Sequence, residues 1–127
     1  MELDRFILEW TKDEGGVKPL FVALKEALQS LPGATMEFHA RPGVTYSMRG
    51  VNPAQERPLF VLVDVIDDPE ARWLSVCFYE GTMTDPDELG EVIPEGLLGR
   101  DGYCFDVEDG ELEAYLIARM AEAHAAG

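Results

Sequence analysis

Residues 36–49 read Met-Glu-Phe-His-Ala-Arg-Pro-Gly-Val-Thr-Tyr-Ser-Met-Arg, and the period of two in this stretch decides the fold. Met36, Phe38 and Ala40 alternate with Glu37, His39 and Arg41. Beyond Pro42-Gly43, Val44, Tyr46 and Met48 alternate with Thr45, Ser47 and Arg49. Successive side chains of a strand point to opposite faces, so each run has one apolar and one polar side. Pro-Gly fits the two central positions of a type II turn, which makes the two runs an antiparallel hairpin. The same parity puts Arg49 on the face opposite Tyr46.

On the N-terminal side the period lengthens. Val17, Leu20, Phe21, Leu24, Ala27, Leu28 and Leu31 recur at helical spacing, with Pro19 in the first turn and Pro32-Gly33 as the stop. Leu3, Phe6, Ile7 and Trp10 predict a shorter helix before it, broken by Gly15-Gly16. On the C-terminal side, residues 51–58 with two prolines read as a loop. Residues 59–66 are apolar on both faces apart from Asp64 and read as a central strand, and residues 72–79 read as its neighbour. Between Gly81 and Gly102 the spacing predicts a short helix at about 86–92 with Asp85 as its N-cap. Tyr103 to Val107 reads as a last strand, and a final helix over 111–124 opens behind Asp109. Consecutive strands without intervening helices exclude a doubly wound parallel sheet. We therefore expect a single α+β domain over 1–127, with an N-terminal helix in 1–14 and an α+β core over 17–124. Its two layers are an antiparallel sheet of four to five strands and helices packed mainly on one face. The other face, where Phe60, Leu62 and Trp73 or their alternates must point, is where a partner subunit or ligand belongs.

Charge narrows the function. The chain of 127 residues carries 25 acidic and 10 basic groups, a formal charge of −15. Residues 1–57 are nearly balanced, with 8 acidic and 7 basic groups, whereas residues 58–127 hold 17 acidic and 3 basic ones. Phosphate backbones and anionic lipid surfaces are repelled by that second half, which argues against nucleic-acid and membrane partners. No run approaches the roughly 20 apolar residues of a membrane span, and the first four residues lack the basic region of a secretory signal, so a cytoplasmic location is expected. Cys77 and Cys104 stand in no C-x-x-C pair, and in that compartment they read as buried, reduced thiols.

Catalytic signatures are missing. His39 and His124 have no second histidine or cysteine at ligand spacing, and the acidic stretch 101–113 does not match a calcium loop, so neither a metal nor another cofactor is expected. Neither a G-x-S-x-G elbow nor a phosphate-cradling glycine loop occurs. What remains is a group on or near the hairpin: His39, Arg41, Tyr46 and Arg49, with Trp73 and Tyr79 from a neighbouring strand. Two arginines within nine positions are a local exception in an acidic chain. Because a guanidinium grips a carboxylate through two parallel hydrogen bonds, these residues point to a ligand-binding site for a peptide carboxylate or small organic acid, with Tyr46 or Trp73 as the apolar wall. Were the protein an enzyme, His39 or Asp64 would be the base.

The phrase Leu31-Pro32-Gly33-Ala34 closing a helix, the following strand pair with Tyr46, and the central Phe60-Val61-Leu62-Val63 strand resemble the small bacterial YjbR/MmcQ-like domains over roughly residues 17–120. That resemblance implies a helix, an antiparallel sheet and a closing helix, and an alternative role in nucleic-acid binding through Arg41, Arg49 and Arg57. The element order is also similar to that of small acidic secretion chaperones, which dimerise around an extended partner. Taken together, the residues predict an acidic, noncatalytic protein- or small-ligand-binding module that forms a homo-oligomer, most simply a homodimer.

Overall fold

The computed structural model describes residues 2–126 and shows three helices on a six-stranded antiparallel sheet. Helix α1 spans Glu2–Glu9 and α2 spans Lys18–Ser30. The strands are β1 (Thr35–Arg41), β2 (Thr45–Val51), β3 (Leu59–Ile66), β4 (Trp73–Tyr79), β5 (Glu91–Leu97) and β6 (Arg100–Val107), and α3 spans Glu113–Ala126. Across the sheet the order is β1-β2-β3-β4-β6-β5. The α+β class and the antiparallel sheet are as the sequence predicts, but the sheet has six strands, not four to five.

The added strand is β5, in the region where the sequence predicts a short helix. The capping chemistry of Asp85 is real but serves a loop. Its carboxylate accepts the N–H groups of Leu89 at 3.0 Å and Gly90 at 2.9 Å. It also receives the hydroxyl of Tyr103 from β6 at 2.6 Å and that of Tyr115 from α3. Thr84 in the same loop bonds to Glu122 of α3 through both its N–H and its hydroxyl. The 80–90 segment thus crosses β6 on the helix side and delivers β5 to the outer edge. Gly90 permits this crossing, since a Cβ there would lie 2.8 Å from Tyr103 Cε1 and 2.9 Å from the Cys104 carbonyl oxygen. Pro94 suits an edge strand, where its missing N–H costs no ladder bond.

One face of the sheet carries the core. Val61, Val63 and Val65 of β3, Leu74, Val76 and Phe78 of β4, and Phe105 and Val107 of β6 meet Leu20, Leu24 and Leu28 of α2 and Leu116 and Met120 of α3. The α2 N-terminus is capped from a distance, by the Asp13 carboxylate on the N–H groups of Val17 and Lys18, both at 2.9 Å. Helix α1 ends at Glu9, earlier than Gly15, and is held by Phe6, whose ring stacks on Tyr46 at 4.4 Å. At the β2–β3 pairing the register shifts between Gly50 and Val51, which turns Phe60 into the core against His124. Leu62 and Trp73 do lie on the other face.

The cysteines correct a second expectation. Cys77 and Cys104 are not free thiols. They face each other directly in the β4–β6 register and form a disulfide with a Cα separation of 4.2 Å. A separation of 27 residues hides this pairing from the sequence, because β5 intervenes in the chain while lying outside β6 in space.

Candidate functional site

No helix covers the second face of the sheet, and strand register arranges its side chains in rows. One row runs His39, Ser47, Asp64, Ser75 and Asp106 across β1, β2, β3, β4 and β6. The next runs Glu37, Arg49, Leu62, Cys77, Cys104 and Glu91, reaching β5. On the other side of the first row lie Arg41, Thr45, Ile66 and Trp73. Beside that polar first row, Leu62, Cys77, Tyr79 and Leu97 form a second small apolar cluster with Leu59 and Cys104 against it, each of the four at most 9% exposed within the single chain. The flanks of the face are charged with opposite signs. Arg41 and Arg49 outnumber Glu37 on the β1–β2 side, and Asp106 and Glu91 stand on the β6–β5 side.

Five of the six residues that the sequence groups into a site share this face, Tyr79 within the apolar cluster. His39 is exposed and bonds Glu37 at 3.1 Å. Arg41 is exposed at the outer strand, and Arg49 is half-buried, its Nε 3.4 Å from the Ser47 hydroxyl. Trp73 is half-buried in β4. Neighbouring strands are about 4.8 Å apart, so Arg41 and Trp73 are roughly 14 Å apart across three strand spacings and do not grip one small molecule together. Tyr46 points to the helix side, as parity requires. There the guanidinium carbon of Arg72 sits 5.2 Å from its ring centre, and Phe6, Trp10 and Phe38 complete a cleft of about 450 Å³. Arg72 is itself tied to Asp67, with Nε donating to Oδ1 at 2.9 Å. No strand parity or local motif brings Arg72 to Tyr46, because the contact depends on where α1 docks.

Among the described residues, Arg41, Arg49, Arg57 and Arg100 have no carboxylate within ion-pair distance, in contrast to Arg72 and Arg119. Asp64 is the other unusual group. It lies at the centre of the bare face, and its Oδ1 is buried without a hydrogen-bond partner. Burial pushes its carboxyl above the usual range, while the Ser47 hydroxyl and the Arg49 charge pull the other way. The row His39-Ser47-Asp64 contains the residue types of a hydrolase triad in an order that does not work. The serine stands between the other two, and the imidazole is taken up by Glu37.

A carboxyl raised in the folded state is stabilised in its neutral form, so at neutral pH the group opposes folding, and that cost shrinks as pH falls through its folded value and is gone below the ordinary carboxylate range. Asp64→Asn is therefore expected to stabilise the protein by about 0.5–2 kcal/mol at pH 7, with the difference from the parent shrinking in acid. Urea unfolding of the two proteins at pH 7 and pH 4 checks this. A less stable Asn variant at pH 7 would show that the charge is satisfied.

Among the described residues no group of three His, Cys, Asp or Glu side chains is placed to hold a metal ion, and no helix is long and apolar enough to cross a membrane. Searches against protein-family models, curated proteins and solved structures return no match.

Proposed function

We propose that this protein is a noncatalytic binding module whose bare sheet face docks against a second copy of the same chain. The observation that carries the reading is the charge pattern of that face, net basic on the β1–β2 side, where Arg41 and Arg49 outnumber Glu37, and acidic on the β6–β5 side, where Glu91 and Asp106 stand. A two-fold axis lying between two such faces and parallel to the strands places each basic flank over the partner's acidic one. A two-fold interface must be self-complementary, and this face has that property. Face-to-face sheets pack about 10 Å apart, a gap that the half-buried Ile66 and Trp73 can help to fill. The half-buried Arg49, without a carboxylate partner among the described residues, lies where an acceptor of the other copy would arrive.

Sedimentation velocity at micromolar concentration tests it. The expected species has twice the 14.1 kDa chain mass and dissociates as salt rises, since its flanks are held by exposed charges. A single-chain mass at every concentration up to the millimolar range would contradict the reading.

A further inference from the structure

At the end of the sheet where β3 begins and β4 ends, a cleft of about 370 Å³ opens between the 52–58 loop, the start of β6 and the last turn of α3. Its floor is apolar, made by Leu59, Phe60, Tyr79 and Ala123. Its rim carries Arg57 and Arg100. Arg57 is held in place, with its guanidinium carbon 4.4 Å from the centre of the Tyr79 ring. Such stacking orients a guanidinium and leaves its N–H edges free for hydrogen bonds. The walls are fixed as well. The Gln55 amide donates to the His124 carbonyl of α3, and the His124 ring lies 2.7 Å from the Pro32 carbonyl, tying three segments together around the cleft.

The sign of this cleft is opposite to that of the molecule. Among the described residues, two arginines face one carboxylate, Glu56, which pairs with neither of them. The dipole of α3 adds about half a negative charge at its C-terminal end. By contrast, the concavity beside the 67–72 turn is lined by Glu9, Glu14, Asp67, Asp68 and Glu70 against Lys12 and Arg72. In a chain of formal charge −15, a cleft with a positive rim, an apolar floor and unpaired guanidinium groups is built for an anion with an apolar body.

We infer that this cleft is a binding site for a small organic carboxylate, the acid group lying between Arg57 and Arg100 and the hydrocarbon or aromatic body on Phe60, Tyr79 and Ala123. A cavity of this size admits a molecule of the dimensions of phenylpropanoate. The cleft shares Leu59 and Tyr79 with the apolar cluster of the sheet face, but neither arginine is used in the docking of two copies.

Two-dimensional amide NMR of the intact chain tests it with a panel of aliphatic and aromatic monocarboxylates, each paired with its uncharged primary amide, and with inorganic phosphate as a third arm. The expected result is saturable shifts centred on residues 55–60, 79, 82 and 100 with the carboxylates and much weaker ones with the amides. Arg57→Gln and Arg100→Gln should each weaken binding roughly ten- to a hundredfold while keeping the parent spectrum elsewhere. Binding should persist in Arg49→Glu, which separates this site from the bare face. Phosphate binding as well as the carboxylates would show that the apolar floor contributes nothing. No saturable shift with any carboxylate, equal binding of the amides, or indifference to both arginine substitutions would overturn the inference.

Discussion

Replacing Asp85 by alanine is expected to release the 80–90 loop and cost about 2–3 kcal/mol of stability. That figure lies below the sum of four charge-assisted hydrogen bonds because the loop is washed by solvent. The two tyrosines, both far away in sequence, converge on this carboxylate from β6 and α3, so the loop is fastened to the strand and to the helix at one point. Their hydrogen bonds hold the Asp85 carboxyl well below the usual carboxylate range, against a desolvation that alone would raise it. Bonding to Asp85 pushes the Tyr103 phenol up to about 12. The signs follow from these directions. The Asp85 contribution is present above its ordinary pKa and is lost only as pH falls through its much lower folded value. The Tyr103 contribution is complete below pH ~10, the ordinary phenol value, and disappears as pH climbs through about 12. Phenolate absorbance in an alkaline titration should show Tyr103 titrating late, near 12, with Tyr115 also above the ordinary range, and Asp85→Asn should bring Tyr103 back toward it. A parent titration with no late tyrosine would show that the clamp is absent.

Phe78→Ala should have the largest effect of any single change considered, about 3–5 kcal/mol and on the order of 10–20 °C in Tm. Phe78 is fully buried on β4, under the helices, and meets the Phe105 ring edge-on with centres 6.1 Å apart. Truncation leaves a cavity where β4, β6 and α3 meet, and close-packed neighbours relax only partly into it. Differential scanning calorimetry reads the loss. A change below about 1 kcal/mol would mean that the helices do not seal this face of the sheet.

The contrast between these two positions explains what the sequence discloses. Phe78 belongs to an alternating run, Leu74, Val76 and Phe78 against Trp73, Ser75, Cys77 and Tyr79, whose period of two survives into the structure unchanged. The hairpin of β1 and β2, the central β3 and the helical stripe of α2 are legible for the same reason, since each buries one periodic face. Asp85 reads as a helix cap because local chemistry favours that use, yet its partners Tyr103 and Tyr115 come from distant elements that no local pattern reveals. Strand β5 is hidden too. Pro94 and Gly96 interrupt it, six of its seven residues are exposed, and only Leu97 is buried. It is a strand because β6 offers a free edge and the anchored loop ends beside it.

The site divides along the same line. Parity alone separates Arg49 from Tyr46, and the unusual Asp64 in an apolar run already stands out in the sequence. The positions of Arg57 and Arg100 around one cleft depend instead on how the 52–58 loop and the β5–β6 turn come together at the end of the sheet, and the pairing of Cys77 with Cys104 on strand order. These are tertiary facts, set by the packing of α3 and by the insertion of β6 between β4 and β5.

The central claim, that the bare face is a self-complementary interface, is tested most directly by mixing two charge-reversed proteins. One carries Arg41→Glu and Arg49→Glu, making both flanks acidic, and the other carries Glu91→Arg and Asp106→Arg, making both basic. Each alone should sediment at the single-chain mass of 14.1 kDa, because either flank now meets its own sign across the two-fold axis. Mixed in equal amounts, they should sediment at twice that mass, since every acidic flank again finds a basic one. Association of either variant alone as strongly as the parent, or failure of the mixture to associate when the parent does, would contradict the account.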